Sequence, residues 1–188
     1  MPKSTLSLHV FALFALVFTT MGIAPRAAVV TRIAQDSNIA TPDEITELFK
    51  SVPCKNGDRL QAAQDLLQKM GAPADAIHVQ HYKSYGGVDD IVLVKPGETD
   101  EKIVIGAHYD KVVWGCGAID NWTGVATVAL LYRTLKDKLF KKTLEFVLFG
   151  KEESGLFGSM AMLGPLDKSE LNNYCAMVNI DSTGLATP

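Results

Sequence analysis

Hydrophobic residues recur along the chain in two kinds of pattern. One has the three- to four-residue spacing of an amphipathic helix, and it is carried by Leu60, Ala63, Leu67 and Met70. The other is a mainly apolar run, typical of a buried strand; it is continuous at residues 103–107 and includes one polar residue at 144–149 and at 176–180. Because the strand patterns alternate with helical ones, the sequence predicts an α/β fold around a largely parallel sheet.

Local signals place the remaining elements. The residues Thr41-Pro42-Asp43-Glu44 form a capping-box pattern, which predicts a short helix ending near Lys50. Gly71 is expected to end the next helix. The further elements predicted are strands at residues 76–82 and 91–94, a helix at 123–135, and a helix or loop at 159–163.

Several apolar runs are followed by residue types that bind metals. His108 and Asp110 come after the first buried run, and the other candidate ligands are Asp120, Glu152, Glu153 and Asp181. The carboxyl ends of strands are where open α/β sheets place their binding sites. The combination predicts a zinc hydrolase with two metals.

The residue types also suggest how the ligands divide. Two nearby metals require a bridging carboxylate, and Asp120 is expected to be that bridge. His108 and Asp181 would complete one metal site, and one residue of the pair Glu152 and Glu153 would bind the other metal. The other glutamate would remain free to act as a general base. Asp110 is expected to orient the imidazole of His108 from its second nitrogen.

Four segments resemble motifs of metallopeptidase family 28, the zinc aminopeptidases related to bacterial leucyl aminopeptidase: GAHYD, GAIDNWTG, KEESGLFGS and NIDSTG. The resemblance implies an αβα sandwich with a mixed, mostly parallel central sheet. It also implies two Zn²⁺ ions and hydrolysis of N-terminal residues from peptides by a water that the metals share. In this resemblance Glu152 is the general base, and the metal ligands are His108, Asp120, Glu153 and Asp181.

The sequence departs from the family pattern in one respect. The family has a second histidine ligand well after the last aspartate motif, whereas no histidine follows His108 here. We therefore expect the second zinc site to lack one ligand and the chain to be the N-terminal portion of a peptidase, with uncertain activity. Two alternatives remain open: a catalytically impaired relative that acts as a binding domain, and a glutaminyl cyclase-type acyltransferase.

Composition excludes other classes of function. The chain has 188 residues, of which 47% are hydrophobic and 21% charged, as in an ordinary globular domain. The net charge of −3 gives no electrostatic basis for binding nucleic acid, and the expected partner is a peptide with a free N-terminus.

The N-terminus has the layout of an export signal. Lys3 precedes an apolar stretch that runs from Leu6 to about Met21, so residues 1–28 are expected to be a signal peptide or an anchor. Residues 29–188 would be the catalytic portion, secreted or periplasmic, with membrane contact only through an uncleaved N-terminal segment. The odd number of cysteines implies at least one without a partner in this chain, and Cys116 is expected to be a small buried residue.

Overall fold

The structure is a computed structural model, and it describes residues 38–184. The predicted export signal at residues 1–28 lies outside this range. Within it, every helix is too short or too polar to cross a lipid bilayer.

The described residues contain five α-helices. Their bounds are Pro42–Lys50 (α1), Asn56–Lys69 (α2), Thr123–Leu135 (α3), Phe157–Leu163 (α4) and Lys168–Leu171 (α5). Gly71 follows α2 in a left-handed conformation that favours glycine, as its place in the sequence predicts. The segment left open as a helix or loop is helical.

Five strands form one mixed sheet in the order β1-β2-β4-β3-β5. The strands are Ile77–Tyr82 (β1), Val88–Lys95 (β2), Thr99–His108 (β3), Lys142–Phe149 (β4) and Tyr174–Asn179 (β5). β2 pairs antiparallel with β1 and β4, whereas β3 pairs parallel with β4 and β5. Parallel strands present their carboxyl ends at one edge, so β3, β4 and β5 deliver the residues that follow them to the same place.

Helices cover both faces of the sheet. On one face α2 and α3 pack against it through a large apolar core that includes Leu67, Val128 and Phe146. On the other face a smaller cluster is formed by Val104, Val147, Phe149 and Met162, the last of which belongs to α4. The αβα arrangement expected from the sequence is therefore present, and the parallel part of the sheet is the part that leads to the candidate ligands.

The start of α1 differs from the sequence prediction in one detail. Thr41 caps the helix by accepting a hydrogen bond from the Glu44 backbone N–H at 3.2 Å, as expected. The Glu44 carboxylate does not complete a capping box but binds both terminal nitrogens of Arg133 in α3. A tertiary ion pair with a guanidinium fork therefore replaces the local contact.

Two of the three cysteines form a disulfide, between Cys54 and Cys116. The expectation that Cys116 is a small buried residue is wrong, because it is exposed and bonded to a residue 62 positions away. Sequence spacing alone could not show this contact, since it depends on the packing of the segment before α2 against the loop after β3. Cys175 has no disulfide partner and is exposed, which confirms that one cysteine is unpaired within the chain.

Candidate metal centre

The predicted site residues meet at the carboxyl edge of the parallel strands. His108 is the last residue of β3, while Glu152 and Asp181 follow the ends of β4 and β5 by three and two residues. Asp120 arrives from the irregular helical turn Ala118–Trp122, which leads into α3. Each candidate ligand thus lies at, or a few residues from, the end of an element that is anchored in the apolar core.

The buried imidazole of His108 is the centre of the cluster. Its Nε2 atom lies 3.1 Å from Asp120 Oδ1, 3.7 Å from Asp181 Oδ2 and 3.8 Å from Glu152 Oε2. Burial alone would lower the pKa of His108, but Asp110, Glu152 and Asp181 together raise the pKa above its ordinary value. So many carboxylates around one ring create a strongly negative site, which a bound cation would neutralise.

The set His108, Asp120 and Asp181 fits a zinc ion. Zinc is usually tetrahedral with ligand bonds of about 2.0–2.2 Å, so neighbouring ligand atoms are separated by about 3.3 Å. The separations of 3.1 and 3.7 Å from His108 Nε2 bracket that value. One imidazole and two carboxylates are also a donor set that zinc accepts.

A second set consists of His108, Glu152 and Glu153, whose ligand atoms lie within 4.8 Å of one another. Glu153 Oε1 is buried without a hydrogen-bond partner among the described residues. Burial and the neighbouring Asp120 carboxylate raise the pKa of Glu153. A buried carboxylate oxygen without a donor is costly unless a proton or a cation reaches it, so its position suits a metal ligand.

Asp110 holds two parts of the site at once. Its Oδ1 atom lies 3.4 Å from His108 Nδ1, on the side of the ring opposite the metal cluster. Its two carboxylate oxygens also accept the backbone N–H groups of Glu152 at 2.9 Å and Glu153 at 3.2 Å. The sequence predicted that Asp110 lies beside this nitrogen, but His108 Nδ1 has no hydrogen-bond partner among the described residues, so the contact is electrostatic. The bonds to the two backbone N–H groups were missed because a backbone partner leaves no residue-type signal.

Asn121 holds the other pair of carboxylates and was not identified from the sequence. It is completely buried, and its Nδ2 donates to the carbonyl of Ile180 at 2.9 Å. Its Oδ1 accepts the N–H groups of Gly124 at 2.9 Å and Ser182 at 3.2 Å. The residue that follows Asp120 is therefore bonded to both neighbours of Asp181.

Arg59 is a second residue that the sequence did not reveal. It belongs to α2, is completely buried, and donates to the carbonyls of Tyr109, Cys116 and Gly117. Its guanidinium also lies 5.0 Å from the centre of the Trp122 ring. Arg59 thus connects the residue after His108 to the residues before Asp120.

The histidines at positions 78 and 81 are not part of this cluster. Both lie on β1, and His81 pairs instead with Asp89 at 2.7 Å.

Comparison with known proteins identifies the family. The sequence pattern of Peptidase family M28 matches residues 90–188, slightly more than half of the chain. The chain belongs to this family. All the candidate ligands fall within the matched region of this M28 member.

Individual relatives agree with that assignment. Leucine aminopeptidase 1 of Chaetomium globosum is 32% identical over 141 residues, which are 68% of this chain and 34% of the relative. The aminopeptidase of Aneurinibacillus sp. strain AM-1 is 30% identical, with a TM-score of 0.50 over 52% of this chain and 25% of that one. This M28 chain thus spans about a third of the length of the curated relative it matches.

The fold extends beyond aminopeptidases. The glutaminyl cyclase of Macrostomum lignano superposes with a TM-score of 0.60 over 78% of this chain and 54% of that one, at 18% identity. At this identity the similarity shows the fold alone. The fold therefore does not distinguish hydrolysis from cyclisation, and the residues of the site have to be considered.

Proposed function

We propose that this chain contributes the catalytic centre of a zinc-dependent aminopeptidase. The observation that carries the proposal is the convergence on His108 Nε2 of three carboxylates, from Asp120, Glu152 and Asp181, each within 4 Å. Membership of family M28 and the similarity to proteins named as aminopeptidases support the same conclusion.

The first set would hold one zinc ion, with Asp120 and Asp181 beside His108. Glu153 of the second set would bind a second ion together with Asp120, whose carboxylate is near enough to raise the pKa of Glu153. Zinc, when bound, polarises the carbonyl of the scissile bond and lowers the pKa of the attacking water. Glu153 Oε1 is buried and has no hydrogen-bond partner within residues 38–184, which supports its role as a ligand rather than a surface residue.

Glu152 is left for proton transfer. Its carboxylate is partly exposed, and Oε2 lies 3.8 Å from His108 Nε2, so it borders the place where substrate and water would meet. In the proposed reaction Glu152 removes a proton from the attacking water and delivers it to the nitrogen of the leaving peptide. Asp110 keeps the carboxylate in place, because it fixes the Glu152 backbone N–H.

The test replaces Glu152 by glutamine, which keeps the shape of the side chain and removes its basicity. We expect E152Q to retain its zinc and to lose about 10²–10⁴-fold in the rate of amino-acid anilide hydrolysis. The matched control is E98Q, because Glu98 is exposed and precedes β3 at the opposite end of the sheet. An E152Q variant with full activity, or without zinc, would remove Glu152 from this role.

The same preparation distinguishes the alternatives. A peptide with N-terminal glutamine would be cyclised by an acyltransferase and hydrolysed by an aminopeptidase. A non-catalytic binding domain would do neither while still binding zinc.

We also propose that the protein is exported. The disulfide between Cys54 and Cys116 supports this, because such bonds persist in oxidising compartments and are rare in the cytosol. A fusion of residues 1–28 to a reporter enzyme would test whether this segment directs secretion.

A further inference from the structure

A cleft of about 620 Å³ adjoins the candidate metal centre on the side of Glu153. Its lining includes Glu153 and Ser154 and, from the loop after β3, Val112, Val113 and Trp114. A second cleft, of about 330 Å³, includes Glu152 and His108 and is lined mainly by apolar side chains such as Leu163 and Met177. The two glutamates therefore face cavities of unequal size.

The loop with Trp114 is fixed at both ends. At its start, the Asn56 side chain donates to the Lys111 carbonyl at 2.8 Å and accepts the Lys111 N–H at 2.9 Å. At its end, Cys116 is joined to Cys54, and its carbonyl accepts a hydrogen bond from Arg59 at 3.0 Å. Such anchoring fixes the position of an exposed loop, which suits a binding surface better than a mobile connection.

The tip of this loop is apolar and exposed. Val113 is 87% exposed and Trp114 is 83% exposed. Single exposed apolar residues are common, but here three adjacent ones line a cleft that also contains a candidate metal ligand. An indole in that position offers a large, rigid surface to an apolar or aromatic group.

We propose that Trp114 binds the side chain of the second residue of the peptide substrate and favours an apolar one there. The proposal rests on the aminopeptidase function proposed above. An aminopeptidase substrate has one residue on the N-terminal side of the scissile bond and the rest of the chain on the other side. The larger cleft suits the continuing chain, and its wall of Val113 and Trp114 is the apolar surface that the second side chain would meet.

The first experiment uses the two tryptophans of the chain as reporters. Trp122 is 3% exposed, so a change in emission on binding is expected to come from Trp114. The probe is a tripeptide analogue with leucine first, phenylalanine second and a non-hydrolysable aminomethylene link between them, added with zinc. We expect a blue shift of emission and protection from iodide quenching, both much smaller when the second residue is glycine. Unchanged emission with both probes would overturn the proposal, whether or not the chain is active.

The second experiment measures hydrolysis of two tripeptides that have leucine first and either phenylalanine or glycine second. We expect W114A to lower the ratio of their kcat/KM values about 10-fold, the size of one aromatic contact, and W114F to restore most of it. The matched control is L139A, because Leu139 is 95% exposed and lies in the turn before β4. It should leave the ratio unchanged.

The outcomes separate the two proposals. If the native chain releases leucine from both peptides and W114A has the native ratio, the aminopeptidase function stands and the role of Trp114 is wrong. A third tripeptide, with alanine first and phenylalanine second, tests the other assignment. If W114A changes the preference between leucine and alanine at the first residue instead, the cleft holds the N-terminal side chain and the proposal is also wrong. If the native chain releases no leucine from either peptide, the proposed function fails, and the emission experiment alone decides whether the cleft binds peptides.

Discussion

The two halves of the candidate metal centre share His108 but are held in place by different means. Asp120 and Asp181 follow elements far apart in sequence, and the buried amide of Asn121 connects them through three hydrogen bonds. Glu152 and Glu153 are adjacent in sequence, and the carboxylate of Asp110 holds both of their backbone N–H groups. One half is therefore held by a neutral amide, Asn121, which we call the neutral clamp. The other half is held by a carboxylate, Asp110, which we call the charged clamp.

This difference has a physical consequence. Asn121 both donates and accepts, so its removal leaves buried donors and an acceptor without partners, and the fold itself is expected to suffer. Asp110 only accepts, and it adds a negative charge beside His108, so a change there is expected to act mainly on the electrostatics of the site. Substitutions at the bridging aspartate and at these supporting residues would therefore affect the site to different degrees.

Removal of the bridge should have the largest effect. We expect D120A to lose both zinc ions, because two nearby cations repel each other when no bridging carboxylate lies between them. Zinc analysis after dialysis, together with thermal unfolding in the presence of zinc, would measure this. D100A is a suitable control, since Asp100 is exposed near the start of β3. Two zinc ions per chain in D120A would show that Asp120 is not a bridge.

The second-largest effect is expected from a change in the neutral clamp, Asn121. N121A would leave the Ile180 carbonyl and the Gly124 N–H unpaired in the interior, each costing about 1–3 kcal/mol, so the free energy of unfolding should fall by about 2–6 kcal/mol. Denaturant unfolding would measure the loss. The matched change at the exposed Asn172, N172A, should have little effect. A native unfolding free energy in N121A would contradict the clamp.

The charged clamp should affect metal binding more than folding. In D110N one amide group faces a backbone N–H that the carboxylate had accepted, so either Glu152 or Glu153 loses its support. We expect zinc affinity and activity to fall about 10- to 100-fold, as for other residues that orient metal ligands. Isothermal titration with zinc would test this against D75N, a change at an exposed carboxylate. Equal affinities in the two variants would show that Asp110 has no such role.

The smallest effect on the site should come from Asp90, which binds the backbone two residues before Glu152. Asp90 is completely buried, and its Oδ1 accepts the Gly150 N–H at 2.9 Å. Burial raises the pKa of Asp90 from 3.8 to about 6. Between these pH values the folded chain retains a proton that the unfolded chain has released, so this contribution to stability is present below about pH 4 and is lost as the pH rises through 6.

Replacement by asparagine removes that dependence. The difference in unfolding free energy between D90N and the native chain should move in favour of D90N by up to about 3 kcal/mol from pH 4 to pH 7. Urea unfolding of both proteins at the two pH values would measure it. A difference that stays constant with pH would mean that Asp90 titrates normally.

The sequence predicted which candidate ligands come together better than it predicted the residues that position them. His108 and Asp181 follow mainly apolar runs, and such runs predict buried strands whose ends share an edge when they are parallel. Asn121 and Arg59 gave no comparable signal, because their partners are backbone groups, most of them about 50 to 60 positions away in sequence. The disulfide was missed for the same reason, since it depends on a tertiary contact between two loops.

The elements themselves were predicted within a few residues where the pattern was long and periodic. The helix expected at residues 123–135 has those bounds, and the strand expected at residues 103–107 extends to Thr99–His108. The added residues of β3 include Asp100 and Glu101, which are polar and lie where the strand leaves the core. Hydrogen bonding to neighbouring strands continued the strand past the end of its apolar signal.

The position of β5 links metal binding to the cohesion of the sheet. Among the described residues β5 pairs only with β3, and five of its six side chains are exposed, so little apolar burial holds it there. Asp181 lies two residues after the end of this strand, and it would share an ion with His108 at the end of β3. By mass action, free zinc at 100 times its dissociation constant would add about 2.7 kcal/mol to any state in which the two strands are paired. Zinc would then act on the edge of the sheet as a concentration-dependent crosslink, and slower amide exchange in β5 would be its signature.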